Sequence, residues 1–170
     1  MKELQVKTLS ENAILPERNH ATDAGFDIYV SETVILKPQE KAKIATDIAV
    51  NIPKGYVGLL TSRSGVSSKT HLVVETGKID AGFQGHMKII VKNDSPMNED
   101  LPYVTRGIAG ESISPPFIND KMTRDEYLIR QGDKLAQLVI VPIVTPEINE
   151  VKEFDDVSER GQKGFGSSGV

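Results

Sequence analysis

Short stretches rich in Val, Ile and Leu, each bounded by Gly, Pro, Asn or Asp, restrict the fold of this chain more than any other feature. They occupy residues 34–36, 43–52, 57–60, 87–91 and 135–144. Several short strands with frequent turns are typical of β-sandwiches and β-barrels. The sequence therefore predicts an all-β fold with one helix between Arg63 and Leu72, which would begin at a serine cap.

Length and composition limit the classes of function. The 170 residues suffice for one domain with a real core. A net charge of −4 argues against a direct nucleic-acid binder, because such proteins usually carry a basic patch. The absence of cysteine excludes disulfides and thiolate catalysis. No apolar signal core or membrane-length apolar run is present, which predicts a cytoplasmic protein without a membrane partner.

Two segments depart from the strand pattern. Residues 93–129 contain four prolines with Gly107 and Gly110 and show little periodicity. A loop of this length inside a compact domain is unusual and often functional. Residues 154–170 contain four glycines and few apolar side chains, which for most tails indicates a frayed terminus.

Two candidate site clusters lie in the first half of the chain. Residues 24–28 (AGFDI) contain Asp27, which suits either a turn or a hydrated cation. Residues 62–69 (SRSGVSSK) lie between a strand and the predicted helix, where free backbone N–H groups and Arg63 would attract phosphate. A capped surface helix with solvated charges explains this second cluster about equally well.

Two further clusters follow. Residues 77–85 (GKIDAGFQG) predict a hairpin whose glycines permit close approach of a ligand. Asp80 in this hairpin is either a general base for water or the cap of its own turn. Residues 132–138 (GDKLAQL) enter the longest strand, and Gln137 there points either to solvent or to a polar partner.

The fifth cluster, residues 160–169 (RGQKGFGSSG), lacks the spacing and the strand-to-helix frame of a P-loop. Phe165 between two glycines is difficult to place in a core. An aromatic ring in a basic tail is suited to stacking on a base, with Lys163, Ser167 and Ser168 near phosphates.

Together and in this order, the five clusters resemble the five motifs of the trimeric dUTPase family, over residues 21–169. The most specific matches are SRSG, GKIDAGFQG, GDKLAQL and RGQKGFGSSG. The resemblance implies a jelly-roll-like β-barrel at residues 1–153 and a homotrimer whose active sites are shared between subunits. It also implies that the tail, residues 154–170, is an arm that closes a neighbouring site. The implied reaction converts dUTP to dUMP and pyrophosphate, which keeps uracil out of DNA and supplies dUMP for thymidylate synthesis.

The resemblance also implies roles for individual residues. Asp80 would activate the attacking water, Phe83 would lie under the deoxyribose, and Asp27 would reach Mg²⁺ through water. Arg63 and Gln137 would complete the catalytic set by holding phosphates. The full set of implied substrate-binding residues is Ser62, Arg63, Ser64, Gly65, Gly77, Lys78, Ile79, Asp80, Phe83, Lys88, Gln137, Arg160, Phe165, Gly166, Ser167 and Ser168.

This chain departs from the family pattern in several places. Phe83 and Ser168 replace the frequent Tyr and Thr, and Lys78 replaces a common apolar residue. An insert at about residues 95–128 stands where the family usually has a short connection. Some phage members carry such an insert and bind regulatory repressors, which makes a repressor a candidate partner. Its apolar residues Tyr103, Ile113, Phe117 and Ile118 would form the partner surface, although a loop that merely covers apolar surface explains the insert at least as well.

Two other functions are compatible with these residues. Deamination of dCTP occurs on a related trimeric fold and uses a glutamate near the third motif, where this chain has Glu75. A non-enzymatic regulator would use the nucleotide site as a switch for partner binding. The RGQKGFGSSG tail favours dUTP hydrolysis over both.

Overall fold

The computed structural model describes residues 3–113, 123–156, 158, 159 and 161, and almost all of its regular structure is β-strand. The strands are β1 (Gln5–Thr8), β2 (Gly25–Tyr29), β3 (Val34–Leu36), β4 (Lys41–Ala45), β5 (Ile48–Asn51), β6 (Tyr56–Ser62), β7 (Leu72–Val74), β8 (Gly77–Ile79), β9 (Lys88–Asn93), β10 (Tyr103–Arg106), β11 (Arg124–Ile129) and β12 (Lys134–Pro142). Within the described residues, the single helix is α1 (Ser64–Ser67). The predicted all-β class with one short helix is confirmed.

The strands form four small sheets. Their orders are β1–β5, β4–β9–β7, β10–β11–β3 and β2–β12–β6–β8. All pairs are antiparallel except β10–β11, which is parallel. The last sheet positions the candidate site, because its strands carry the first four sequence clusters.

One apolar cluster holds the four sheets together, because each sheet contributes side chains to it. Its largest fully buried members are Tyr127, Ile28, Leu36, Ile44, Ile48, Ile52, Leu60, Leu72, Met87, Ile89, Ile129 and Leu135. Asn93 is a fully buried polar residue beside this core. Its Nδ2 donates to Leu36 O (3.1 Å) and Asp125 O (2.7 Å), and its Oδ1 accepts from Ser95 N. Asn93 therefore ties the sheet of β9 to the sheet of β3 and β11.

Two expectations about local structure are wrong, the single strand and the serine cap, and the predicted helix lies where expected but is short. The strand predicted at residues 43–52 is two strands, because Asp47 adopts a left-handed φ of 51° and turns the chain. The predicted helix is only the four residues of α1. Arg63 is its N-cap and makes no side-chain capping bond, so the expected serine cap is absent.

The segment 93–129, expected to be irregular, contains β10 and β11. Tyr127 and Ile129 of β11 lie in the core, so the end of this segment is packed into the domain. Gly110 packs the insert against the chain just after α1, since a Cβ on it would lie 2.5 Å from Lys69 O. The insert is therefore in direct contact with the segment that follows SRSG.

No helix in the described ranges is long and apolar enough to cross a membrane.

Candidate functional site

The first, second and fourth sequence clusters meet on three adjacent strands. Gln137 on β12 lies between Asp27 on β2 and Thr61 on β6 in the strand register. Arg63 follows the end of β6, and Lys134 begins β12. Asp27, Arg63, Lys134 and Gln137 are named here the arginine cluster. This proximity does not follow from the spacing of the clusters in the sequence, because it arises from the antiparallel pairing of β12 with both neighbours.

The guanidinium of Arg63 is held on two sides. Its Nε donates to Asp27 Oδ1 at 2.7 Å, and its Nη2 donates to Asp27 Oδ2 at 3.3 Å. Its Nη1 donates to Lys134 O at 2.9 Å. Each Nη nitrogen carries two hydrogens, so each keeps one N–H for a ligand. A fixed arginine with two free N–H groups is suited to bidentate binding of a phosphate.

Gln137 is held against β6 and lies on Gly25. Its Nε2 donates to Ser62 O at 3.0 Å. A Cβ on Gly25 would lie 2.9 Å from Gln137 Oε1 and 3.2 Å from its Cβ. Position 25 therefore requires glycine, because any larger residue would displace the Gln137 amide. Of the two alternatives expected for Gln137, solvent or a polar partner, the structure shows the polar partner.

A second layer of charge surrounds Asp27. Lys134 Nζ lies 3.2 Å from Asp27 Oδ2 and 2.8 Å from Glu17 Oε1. The Tyr29 hydroxyl donates to the same Glu17 oxygen. The hydrogen bonds from Lys134 and Tyr29 lower the pKa of Glu17, while burial and the bond to Glu17 raise the pKa of Tyr29. Sequence reasoning missed Glu17 and Tyr29, since neither lies in a recognisable motif.

The third cluster is β8 followed by a loop at residues 80–85, named here the Asp80 loop, at the edge of the same sheet. The hairpin predicted from the sequence is wrong, because β8 pairs with β6, whereas the next strand, β9, pairs with β4 and β7. In the described part of the chain, β8 pairs with β6 alone, so its other edge has backbone groups free for a ligand. Asp80 follows β8, is exposed, and bonds to Phe83 through backbone atoms alone (Phe83 N to Asp80 O, 3.1 Å). The Asp80 carboxylate is thus available in the described structure, and it does not cap its own turn.

Phe83 is folded onto the backbone of the Asp80 loop. A Cβ on Gly85 would lie 2.7 Å from Phe83 Cζ and 2.9 Å from Cε2. The ring is 46% exposed, which is high for a large apolar side chain. A half-exposed ring supported from below by glycine is suited to contact a ligand with its upper face.

The arginine cluster and the Asp80 loop lie toward opposite ends of β6. Gly58 pairs with Ile79, whereas Ser62, which precedes Arg63, is four residues further along the strand. At about 3.3 Å per residue, Asp80 and Ser62 are separated by roughly 15 Å along the strand. One copy of the chain therefore does not bring Asp80 and Arg63 to the same phosphate.

Other candidates lie elsewhere. Lys88 pairs with Ala45 in the β4–β9–β7 sheet. A hydrogen bond from Ser10 lowers the pKa of Asp47, and the charge of Lys88 lowers it by a smaller amount. Glu75, the deaminase candidate, is exposed and forms an ion pair with Lys41. Ser64 and Gly65 are exposed in α1.

In the described parts of the chain, no group of three or more His, Asp or Glu residues could hold a metal ion. The predicted residues that lie outside the described ones are Phe117, Ile118, Arg160, Phe165, Gly166, Ser167 and Ser168.

Comparison of the sequence with known proteins identifies relatives. The dUTPase family model matches residues 11–100 and 103–169. The chain is 34% identical over 167 residues to the deoxyuridine 5'-triphosphate nucleotidohydrolase of Oryza sativa subsp. japonica, covering 98% of this chain and 81% of the relative. It is also 34% identical to the enzyme of that name from Clostridium kluyveri, covering 99% of each.

Solved structures give closer matches. A Staphylococcus bacteriophage 80alpha dUTPase mutant with dUpNHpp is 60% identical over the full length of both chains, with a TM-score of 0.91. The dUTPase of phage phi11 of S. aureus, solved to visualise its species-specific insert, is 58% identical with a TM-score of 0.81, covering 91% of this chain and 99% of that one.

Proposed function

The chain belongs to the dUTPase family and hydrolyses dUTP to dUMP and pyrophosphate; we propose that the arginine cluster binds the phosphates in this reaction and that Asp80 activates the attacking water. The observation that carries this proposal is the geometry of Arg63, fixed by Asp27 at 2.7 Å and by Lys134 O at 2.9 Å with two N–H groups left for a ligand.

Phosphate binding would use fixed donors. Arg63 would contact the phosphate oxygens together with the Ser64 hydroxyl and the N–H groups of Ser64 and Gly65, which have no acceptor within α1. Gln137, held by Ser62 O, would contact the α-phosphate. Donors that are already in place stabilise developing charge without reorganisation, and loss of one typically costs a factor of about 10²–10³ in kcat.

Nucleoside recognition would use β8 and the Asp80 loop. The free edge of β8, at Gly77, Lys78 and Ile79, would pair with the uracil edge through backbone groups. Cytosine presents the wrong donor pattern to such an edge, and buried polar groups left unpaired discriminate strongly. The upper face of Phe83 would lie under the deoxyribose and leave no room for a 2′-hydroxyl.

The reaction would be an in-line attack of water on the α-phosphorus. Asp80 would take the proton of that water, a bond from the water oxygen to phosphorus would form, and the bond to the bridging oxygen of pyrophosphate would break. Positioning and charge stabilisation would supply most of the acceleration.

Mg²⁺ would be carried mainly by the triphosphate. Mg²⁺ usually binds phosphates with one or two carboxylates and keeps several waters, and it neutralises phosphate charge. Both oxygens of Asp27 accept bonds from Arg63 or lie near Lys134. This donor set fits a metal that Asp27 reaches through water. A structure of a phi11 dUTPase mutant describes a structural Mg(II) ion in that protein.

The separation of Asp80 from Arg63 along β6 favours sites shared between copies in a homotrimer. The exposed apolar side chains after β12, Val144 (89%), Ile148 (99%) and Phe154 (88%), would then pack on a neighbour. Residues 154–170 would form an arm that closes the neighbour's site, with Phe165 on uracil and Arg160, Gly166, Ser167 and Ser168 at the phosphates.

Substrate choice tests the activity. Pyrophosphate release from dUTP should greatly exceed release from dTTP, dCTP or UTP, and equal rates on all four would end the proposal. Ammonia release from dCTP would favour the deaminase alternative instead.

Mixed assemblies test the sharing of sites. Arg63→Ala and Asp80→Asn should each be nearly inactive alone. If a site takes these residues from different copies, equal mixtures assembled by co-refolding should recover about a quarter of the sites. Absence of recovery, with mixed assemblies verified by mass spectrometry, would place both residues in a site within one copy.

A second role, binding of a regulatory repressor through the insert, is favoured by an exposed surface. Met97 is 59% and Tyr103 41% exposed beside the insert strands, and Ile113 is 37% exposed. The 80alpha dUTPase structures are described as relating to control of virulence-gene transfer. A Met97→Ser, Tyr103→Ser variant should keep dUTP hydrolysis and lose binding to a repressor of those genes. Unchanged binding would exclude this surface.

A further inference from the structure

The Asp27–Arg63 pair alone offers no net positive charge to a triphosphate. Asp27 and Arg63 together are neutral, and their side chains are only 13% and 30% exposed. A neutral pair would attract a triphosphate weakly from a chain whose net charge is already −4. A third charged group is therefore needed for the arginine cluster to be positive.

Lys134 supplies that group and touches the pair twice. Its Nζ lies 3.2 Å from Asp27 Oδ2, and its backbone carbonyl accepts the Arg63 Nη1 hydrogen at 2.9 Å. With Lys134, the two cations outnumber the Asp27 carboxylate by one charge.

Glu17 fixes the lysine in this position. Asp27 N donates to Glu17 O at 2.7 Å, which places the Glu17 side chain beside β2. Its Oε1 lies 2.8 Å from Lys134 Nζ. Glu17 is more exposed than Asp27 (56% against 13%), so water screens its charge more strongly and the inner positive charge persists.

We propose that Lys134 is a positioning residue for dUTP hydrolysis, which holds Asp27 and Arg63 in their bonded geometry and keeps the arginine cluster positive toward the triphosphate. This inference rests on the proposed function of the cluster. Hydrogen bonds to Glu17 and Asp27 raise the pKa of Lys134, so it stays charged across the neutral range.

Charge removal with shape conserved tests the proposal. Lys134→Met should lower kcat/KM for dUTP by about ten- to fiftyfold, because a unit charge several ångströms away acts across a partly screened medium. Lys134→Arg should recover most of the loss. The matched control is Lys41→Met, which removes a lysine from the exposed ion pair with Glu75 and should leave kcat/KM unchanged.

Binding of uncharged deoxyuridine separates an effect on charge from a structural one. Lys134→Met should bind deoxyuridine as the wild type does, since the nucleoside carries no phosphate. The proposal is overturned if Lys134→Met keeps kcat/KM within twofold of wild type, if Lys134→Arg fails to recover activity, or if deoxyuridine affinity falls in parallel. If Lys134→Met does not fold, Lys134→Gln carries the same expectations.

Failure of the proposed function would look different. If the wild-type protein itself releases no pyrophosphate from dUTP, the function is wrong. If the wild type is active and Lys134→Met equals it, only the role of Lys134 is wrong.

Discussion

Gly85→Ala should reduce selectivity for the deoxyribose sugar without touching any group that contacts the phosphates. A methyl group on Gly85 would lie 2.7 Å from Phe83 Cζ. Nonbonded carbons rest at about 3.5–4.0 Å, so the ring must recede by roughly 1 Å. The Gly85 backbone has no left-handed φ, so alanine is compatible with the chain itself.

The magnitude follows from this displacement. A misplacement of about 1 Å at a positioning group can cost up to roughly 10²-fold. We expect the ratio of kcat/KM for dUTP to that for UTP to fall by about ten- to a hundredfold. The stability should change by less than about 1 kcal/mol, because the ring is half exposed and can move outward. Pyrophosphate release measured on both nucleotides gives the ratio.

Two variants control for this explanation. Gly82→Ala strains a backbone with φ of +90° but meets no atom within 4 Å, so it should cost stability and leave the selectivity ratio nearly intact. In a Phe83→Ala background, Gly85→Ala should change the ratio no further, because the colliding ring is gone. A selectivity ratio in Gly85→Ala equal to wild type would refute the role assigned to the ring.

Three other predictions concern buried or turn residues. Gly25→Ala should push Gln137 from its place and lower kcat/KM for dUTP roughly tenfold, measured by pyrophosphate release, with little effect on deoxyuridine binding. Asn93→Ala should lower the free energy of unfolding in urea by about 2–4 kcal/mol, because it strands buried backbone groups on three segments; a loss below about 1 kcal/mol would contradict this. Burial raises the pKa of Asp133 above 3.8, so its contribution is favourable at low pH and is lost as pH rises through the folded-state pKa. Relative to Asp133→Asn, the wild type should therefore lose thermal stability between acid and neutral pH, and a constant difference in Tm would exclude this.

Local runs of apolar residues predicted several of the strands. β3 has its predicted bounds, and β6, β9 and β12 each differ by only a few residues from the predicted stretches. β11 was missed because its first residues, Arg124, Asp125 and Glu126, are charged, although Tyr127 and Ile129 are buried. Its inward face depends on pairing with distant β3, and such a tertiary contact outweighs local propensity.

The grouping of the candidate site residues was expected from motif resemblance and not from spacing. Asp27, Arg63 and Gln137 are far apart in sequence, and only the register of β2, β12 and β6 places them together. The glycines at positions 25 and 85 read as turn or strand residues in the sequence. Their function is to leave space for other side chains. Gly25 leaves space for Gln137, which is distant in the sequence, and Gly85 leaves space for Phe83, which is two residues away.

A β-bulge at the start of β12 explains how one strand supplies both the core and the arginine cluster. Between Lys134 and Ala136, β12 advances two residues while β2 advances one, from Tyr29 to Ile28. Strict alternation would expose either Leu135 or Ala136, yet both are fully buried. The extra residue lets Leu135 enter the core and turns the Lys134 carbonyl toward Arg63, which is the re-aiming that bulges provide beside functional sites. Because this irregularity breaks the period on which strand prediction relies, the sequence pattern alone could not place Lys134 beside Arg63.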